Sequence, residues 1–266
     1  NIVLGCPGQM VSNRWLAVPP LPLFRTNAAA IGHASTDRDA DGVLRRARPY
    51  RDDPVLGRVW HLGVCLAAAG LGLDLTNPEI KPGRLRLRGP GNVERVIPLD
   101  REGFFYLDWS LAWYDKRLAN ATFEELLEFD QLRQAGETNL EPAFGNRLVV
   151  IGSIGTGSNL SDVGATPLQK ETYLVSQHWN VANSILCERF IHPASLGQRL
   201  ALVMALGAAT FVLSWRLRTR WASAAVAVLL AGYVALAAWV FVRYGWWLPI
   251  VLPAGLAGFM THVALV

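Results

Sequence analysis

The chain has 266 residues, 52% of them hydrophobic, with 25 Lys and Arg against 21 Asp and Glu for a net charge of +4. Five of the basic residues lie beyond position 195 and every acidic residue lies before it, so positions 1–195 carry 20 against 21, a net charge of −1. A near-neutral folded part excludes a nucleic-acid binder, whose basic charge belongs on the folded domain, and the acid-free stretch from 196 onward excludes an ordinary water-facing surface there.

Residues 1–5 are a short apolar run, the end of a strand. Residues 19–22 (PPLP) are loop or polyproline. Residues 28–32 predict a short buried strand, and residues 43–50 a second one after the Asp41-Gly42 turn. Residues 58–71 predict a helix with Val59, Leu62, Leu66 and Ala69 on one face. Residues 84–88 (RLRLR) alternate strictly, as a half-exposed strand does, and the turn at 89–92 leads into 93–98 to make a hairpin. Residues 104–108 are a further strand. Thr122 caps a helix reaching about Gln134, with Glu125 completing a capping box. The unbroken apolar run 148–152 predicts a strand buried on both faces, followed by a Gly/Ser loop and a helix over 175–186. Strands alternating with helices give an α/β fold for residues 1–195.

From 196 on, three apolar stretches are long enough to cross a bilayer: 196–215, 221–242 and 246–266. Arg216, Arg218 and Arg220 lie between the first two, and Arg243 alone between the second and third. The positive-inside rule then places the first loop in the cytoplasm, residues 1–195 outside, and Val266 inside. Trp215 and Trp221 border one interface, and Tyr244, Trp246 and Trp247 the other. The chain opens on Asn1 without a signal peptide. An exported domain therefore leads us to expect a preceding signal or membrane helix and a cytoplasmic continuation.

The three cysteines, Cys6, Cys65 and Cys187, leave at least one free thiol. One disulfide is possible, the spacing does not choose the pair, and Cys65 in its apolar run reads as a buried thiol. No Cys/His spacing suggests zinc.

Residues 37–42 (DRDADG) copy the first half of an EF-hand loop, but Arg48 stands where the twelfth position needs a bidentate Glu. A polar turn is the better reading, with a different calcium loop as the lesser one. The loop 152–159 has its glycines as G-x-x-G-x-G, matching neither nucleotide fingerprint. It is either structural or the lining of a small-molecule pocket. Asp162 and Thr166 suit local backbone hydrogen bonds. His178, on a helix otherwise apolar, reads as a core or interface histidine, with ligand contact the lesser reading. The arginines at 45, 46, 48 and 51 read as a solvated face, with anion binding the lesser reading. No G-x-S-x-G nucleophile elbow is present.

Ala30-Ile31-Gly32-His33 followed by residues 39–46 (DADGVLRR) resembles the signature of the CHASE type 2 extracellular sensor domain. Ile97-Pro98-Leu99-Asp100 with Gly103, the run 148–152, Asp162 and Thr166-Pro167 continue it in order. So does the stretch from Val175 through His178, Asn180 and Asn183 to Ile185-Leu186, and three membrane helices then follow. Tyr173-Leu174 departs from the family's Pro-Gly at that point. The resemblance implies an amino-terminal membrane helix and further sensor sequence before Asn1. It also implies a cytoplasmic output module: an adenylate or guanylate cyclase, a histidine kinase, a diguanylate cyclase or a serine/threonine kinase.

The reading is therefore an α/β extracytoplasmic sensor, 1–195, followed by three membrane helices, in a bacterial inner membrane and working as a homodimer. Its partners are the lipid bilayer and an unknown small-molecule or physical stimulus, with no nucleic acid. Asp39, Asp41, Gly155, Asp162, Thr166 and His178 are the ligand-contacting candidates, with no catalytic residue, metal ligand or cofactor assigned. The competing readings are a membrane-anchored periplasmic hydrolase using Asp162 or His178, and a membrane scaffold subunit.

Overall fold

The computed structural model describes residues 2–12, 14–137, 147–154 and 162–265. They divide into two compact units, Asn1–Phe190 and Ile191–Val266.

The first unit opens with strand β1 (Val3–Cys6), a β2–β3 hairpin (Gly8–Val11, Arg14–Ala17) and a short helix α1 (Pro22–Arg25). Then come β4 (Ala30–His33), β5 (Arg46–Ala47), β6 (Tyr50–Asp53) and β7 (Gly57–His61). The main sheet has the order β1-β4-β7-β6. β1, β4 and β7 run parallel and β6 antiparallel. The predicted strand over 43–50 is thus two shorter pieces, β5 and the start of β6.

The predicted helix over 58–71 starts later: residues up to His61 are strand. The reason is the tight β6–β7 turn, where Asp53 Oδ1 accepts from the N–H groups of Val55 (2.8 Å) and Leu56 (2.7 Å) and Gly57 takes a left-handed φ of 71°. That turn feeds the chain back against β6 and β4 before a helix can begin. Helix α2 (Leu62–Leu71) starts at His61, whose Nδ1 accepts from the Gly63 N–H at 3.0 Å. It ends on Gly72, whose φ of 66° suits glycine.

β8 (Asp74–Lys81), β9 (Arg84–Arg88) and β10 (Glu94–Pro98) form an antiparallel meander. The alternation and the turn predicted the β9–β10 hairpin, and β8 joins it as a third strand that was not expected: Leu85, Leu87 and Ile97 are fully buried, while Arg86 and Arg88 pair with Glu79 and Glu94 on the other face. β11 (Phe105–Leu107) pairs with β5. Helix α3 (Phe123–Gln134) carries the expected capping box, Thr122 Oγ1 accepting from Glu125 N–H and Glu125 Oε2 from Thr122 N–H. β12 (Val163–Gly164) and β13 (Thr172–Tyr173) precede α4 (Ser176–Leu186), which packs on α2. The core unites α2 and α4 with Leu44, Phe105, Leu107 and the meander's inner face.

Residues 148–152 are not a strand, and Leu148, Val149 and Ile151 are exposed. The run lies along the helices instead: Val150 packs on the core, Leu148 lies beside Gly70 of α2, and Gly152 lies against Val175. All three cysteines are free, and Cys65 is buried as expected, its thiol pushed up to about 12 chiefly by burial.

The second unit, entered within β14 (Phe190–Pro193), holds α5 (Leu196–Arg216, 21 residues) and α6 (Thr219–Tyr244, 26 residues). Both are long and apolar enough to cross a membrane. The third predicted stretch is different. Residues Trp246–Trp247 form β15, parallel to His192–Pro193, and helix resumes only as a π-helical stretch, Val251–Met260, and α7 (Thr261–Leu265). Pro249 and Pro253 each lack a backbone donor, which delays and widens this helix. His262 ties the three elements together, its Nδ1 2.8 Å from Ser214 Oγ and its Nε2 3.0 Å from Ser223 Oγ.

Candidate ligand site

The parallel strands β1, β4 and β7 end side by side at Cys6, His33 and His61, which are register partners. Ligands of open α/β sheets sit at such carboxyl ends. Here three buried histidines meet. His33 and His61 have ring centroids 5.0 Å apart, and His61 and His178, from the first turn of α4, 5.2 Å. Trp15 packs edge-on to His33 at 5.6 Å, its Nε1 donating to Ser35 Oγ at 3.2 Å. Gly63 allows this meeting, because a side chain there would strike the His178 carbonyl oxygen and Val181.

All three rings are held neutral. Burial, with Arg51 and His178 nearby, lowers His33 to about 3. Burial alone lowers His178 to about 4, and burial with the charges of its neighbours puts His61 well below the ordinary value. Since His61 Nδ1 accepts a hydrogen bond, its proton is on Nε2. That atom, both ring nitrogens of His33, Nδ1 of His178, Ser176 Oγ and the Gln177 amide have no hydrogen-bond partner among the described residues. Buried polar atoms left so cost about 1–3 kcal/mol each, so this cluster is a costly dry polar core and stands out from the apolar packing around it. Arg51, paired with Asp37 and lying 5.7 Å from the Trp15 ring, bounds it.

The sequence candidates fall into two places. Asp39 and Asp41 belong to a loop before β5 that closes on itself, with Gly42 at a φ of 80° and Gly42 N–H donating to Asp39 O at 2.8 Å. Their carboxylates are taken by arginines. Asp41 receives Arg45 through both oxygens (2.8 and 2.7 Å), which holds its carboxyl near 2. Asp39 receives Arg45 (3.0 Å) and Arg46 (2.8 Å), and Arg46 goes on to Asp100 and Glu102. The polar-turn reading stands, and the carboxylates that a calcium loop would use are committed to guanidinium groups. Among the described residues no cluster of His, Cys, Asp and Glu could hold a metal ion.

The 162–166 segment is stitched to this loop: Leu44 N–H donates to Ala165 O at 2.8 Å, Arg38 to Val163 O at 3.2 Å, and Asp162 lies 4.0 Å from Arg38. Thr166 is buried and makes a local turn with Gln169. Gly155 lies outside the described residues. His178 stands apart from all of these, in the histidine cluster. Asp162 and His178, the pair a hydrolase reading would join, are not brought together. The arginines at 45, 46 and 51 are not a solvated face, since each is mostly covered and ion-paired. His61 and Trp15 escaped selection from the sequence, His33 entered only as part of the family signature, and Arg51 only among the arginines read as a solvated face or an anion site. Their signal was weak: two histidines, each closing a strand.

Asp39→Ala is expected to destabilise the first unit by about 1–2 kcal/mol, because two guanidinium groups lose a half-buried acceptor. Asp41→Ala, at an exposed carboxylate, is expected to be close to neutral. Equal unfolding temperatures for the two variants would contradict this division.

The CHASE2 domain family matches residues 3–217, and the chain belongs to that family. CHASE2 domains are extracellular sensor domains of signal-transduction receptors. Comparisons with curated proteins and with solved structures each found no match.

Proposed function

We propose that this chain is the sensory and membrane-spanning half of a bacterial receptor. Residues 1–195 detect a stimulus outside the inner membrane, and the apolar segments pass it to a cytoplasmic cyclase, kinase or diguanylate cyclase. The observation that carries the reading is the extent of the family match, which runs from β1 through the whole of α5. Sensor and first apolar helix therefore belong to one inherited unit, and a change in the sensor has a direct continuation into that helix.

Three spans, with the first loop inside, follow from Arg216, Arg218 and Arg220 against Arg243. The shorter third segment reaches the far side with the help of 246–250, and His262 fastens it to Ser214 and Ser223 near the arginine-rich loop. A shift of α5 would so reach the chain's last residues. Coupling of this kind needs two states that the stimulus binds differently, and a homodimer is the proposed assembly.

Reporter fusions test the topology. A reporter active only in the cytoplasm is expected to work after Val266 and to fail after Arg243. The reverse pattern would invert the arrangement and end the receptor reading.

A further inference from the structure

A cleft of about 430 Å³ opens on the first unit, lined by Trp15, Arg48, Tyr50, Arg51, Asp52, Arg101, Glu102 and Gly103. Its size is that of a small-molecule site, and its charges are unevenly committed. The acidic wall residues already have partners outside it: Asp52 faces Arg58 at 3.5 Å, and Glu102 faces Arg46 at 3.0 Å. Arg51 is paired with Asp37. Arg48 and Arg101 have no acidic partner among the described residues. Arg48 is held in place by stacking on the Phe104 ring, 4.1 Å from its centroid. Arg101 projects from the turn that Asp100 organises by accepting from the N–H groups of Glu102 and Phe104, both at 2.9 Å.

We propose that this cleft binds a small organic anion, its carboxylate or phosphoryl group between the guanidinium groups of Arg48 and Arg101 and its body against Trp15 and Tyr50. The fit is chemical. A planar guanidinium recognises carboxylate and phosphate through paired N–H donors, and the one positioned by an aromatic face is already oriented. The lining carries Arg48, Arg51 and Arg101 against Asp52 and Glu102, a balance that favours an anion. Tyr50 is itself fixed, edge-on to Trp60 at 5.5 Å and beneath Arg58 at 4.4 Å, so the apolar wall is preformed. Trp15 and Arg51 are shared with the histidine cluster. An occupant of the cleft therefore touches the groups that bound the buried polar core.

The proposal names a ligand class for the sensor reading and rests on that reading only for its biological role. The test is calorimetry on the whole chain in detergent at low salt, with citrate and with inorganic phosphate as probes. Binding is expected with at least one probe, weakening as salt rises. Arg101→Glu and the pair Arg48→Gln with Arg101→Gln are each expected to weaken it about tenfold or more, the loss of a charge-assisted contact. Arg101 is exposed, so its variant keeps the fold, and Arg25→Gln on α1 serves as the unaffected control. Citrate alone would assign a carboxylate ligand, and phosphate alone a phosphoryl one. No heat from either probe, or binding that both variants leave intact, overturns the site. Binding that passes these tests beside a reversed reporter topology would keep the site and remove the receptor.

Discussion

Acidification from pH 7 to pH 4 is expected to strip the first unit of most of its stability, with the loss concentrated between pH 6.5 and pH 4. In the unfolded chain a histidine takes up its proton near 6.5. In the folded chain His33 does so at about 3, His178 at about 4, and His61 well below its ordinary value. Between those values the unfolded state binds more protons, so stability rises with pH across the window. The contribution is fully present above 6.5 and disappears as pH falls toward the folded values. By pH 4 the loss amounts to about 3 kcal/mol for each of His33 and His178, against a total of about 5–15 kcal/mol for a typical domain. The carboxylates held low, Asp41, Asp74 and Asp115 at about 2, act in the same direction but only below about pH 4, so the window isolates the imidazoles. The measurement is the unfolding temperature of the detergent-solubilised chain, followed by tryptophan emission in half-unit pH steps. A fall of more than about 10 °C between pH 7 and pH 4.5 is expected. His178→Asn should flatten the slope by one proton's share. An unfolding temperature indifferent to pH over this range would show that the cluster is already wet or charged.

How far the sequence carried is clearest where the cause is local. The RLRLR alternation gave the β9–β10 hairpin because period-2 burial needs no knowledge of the partner strand, and the Thr122–Glu125 pair gave α3 because both halves of the capping box lie within one turn. The failures share a different cause. The Val59, Leu62, Leu66 spacing imitates a helix, yet Trp60 and His61 are claimed by Gly32 and His33 of a distant strand. The run 148–152 has the composition of a central strand, but it is laid over α2 and α4 instead. The candidate site failed in the same manner. Asp39 and Asp41 drew attention by their spacing, and the fold neutralised them with arginines four to seven residues on. The histidine cluster joins positions 33, 61 and 178, and no local pattern announces a meeting of three chain segments. Of the three, His178 alone was named a ligand-contacting candidate, and nothing in the sequence tied it to positions 33 and 61.

Two glycines of the same helix are expected to respond to alanine with opposite signs, and the larger response belongs to the one beneath the histidines. At Gly63 a Cβ would lie 2.5 Å from the His178 carbonyl oxygen and 2.6 Å from Val181 Cβ. Neither neighbour is a flexible tip, so α2 and α4 must separate. Overpacking of a core costs about 1–3 kcal/mol and at times more. Here the separation also parts His61 from His178 and lets water reach both rings. At Gly70, near the end of α2, the nearest atom is Leu148 Cδ1 at 3.3 Å, the tip of a side chain that is itself 43% exposed and free to turn aside. Alanine there removes the helix penalty of glycine, about 0.5–1 kcal/mol. Gly63→Ala should therefore lower the unfolding temperature by several degrees and weaken the acid dependence, because histidines reached by water regain ordinary proton affinities. Gly70→Ala should raise the unfolding temperature slightly and leave the acid dependence unchanged. The coupling of the two effects at Gly63 matters most: a loss of stability with the pH slope intact would mean that the rings stay dry when the helices part. The close α2–α4 approach would then not be what keeps the histidines neutral.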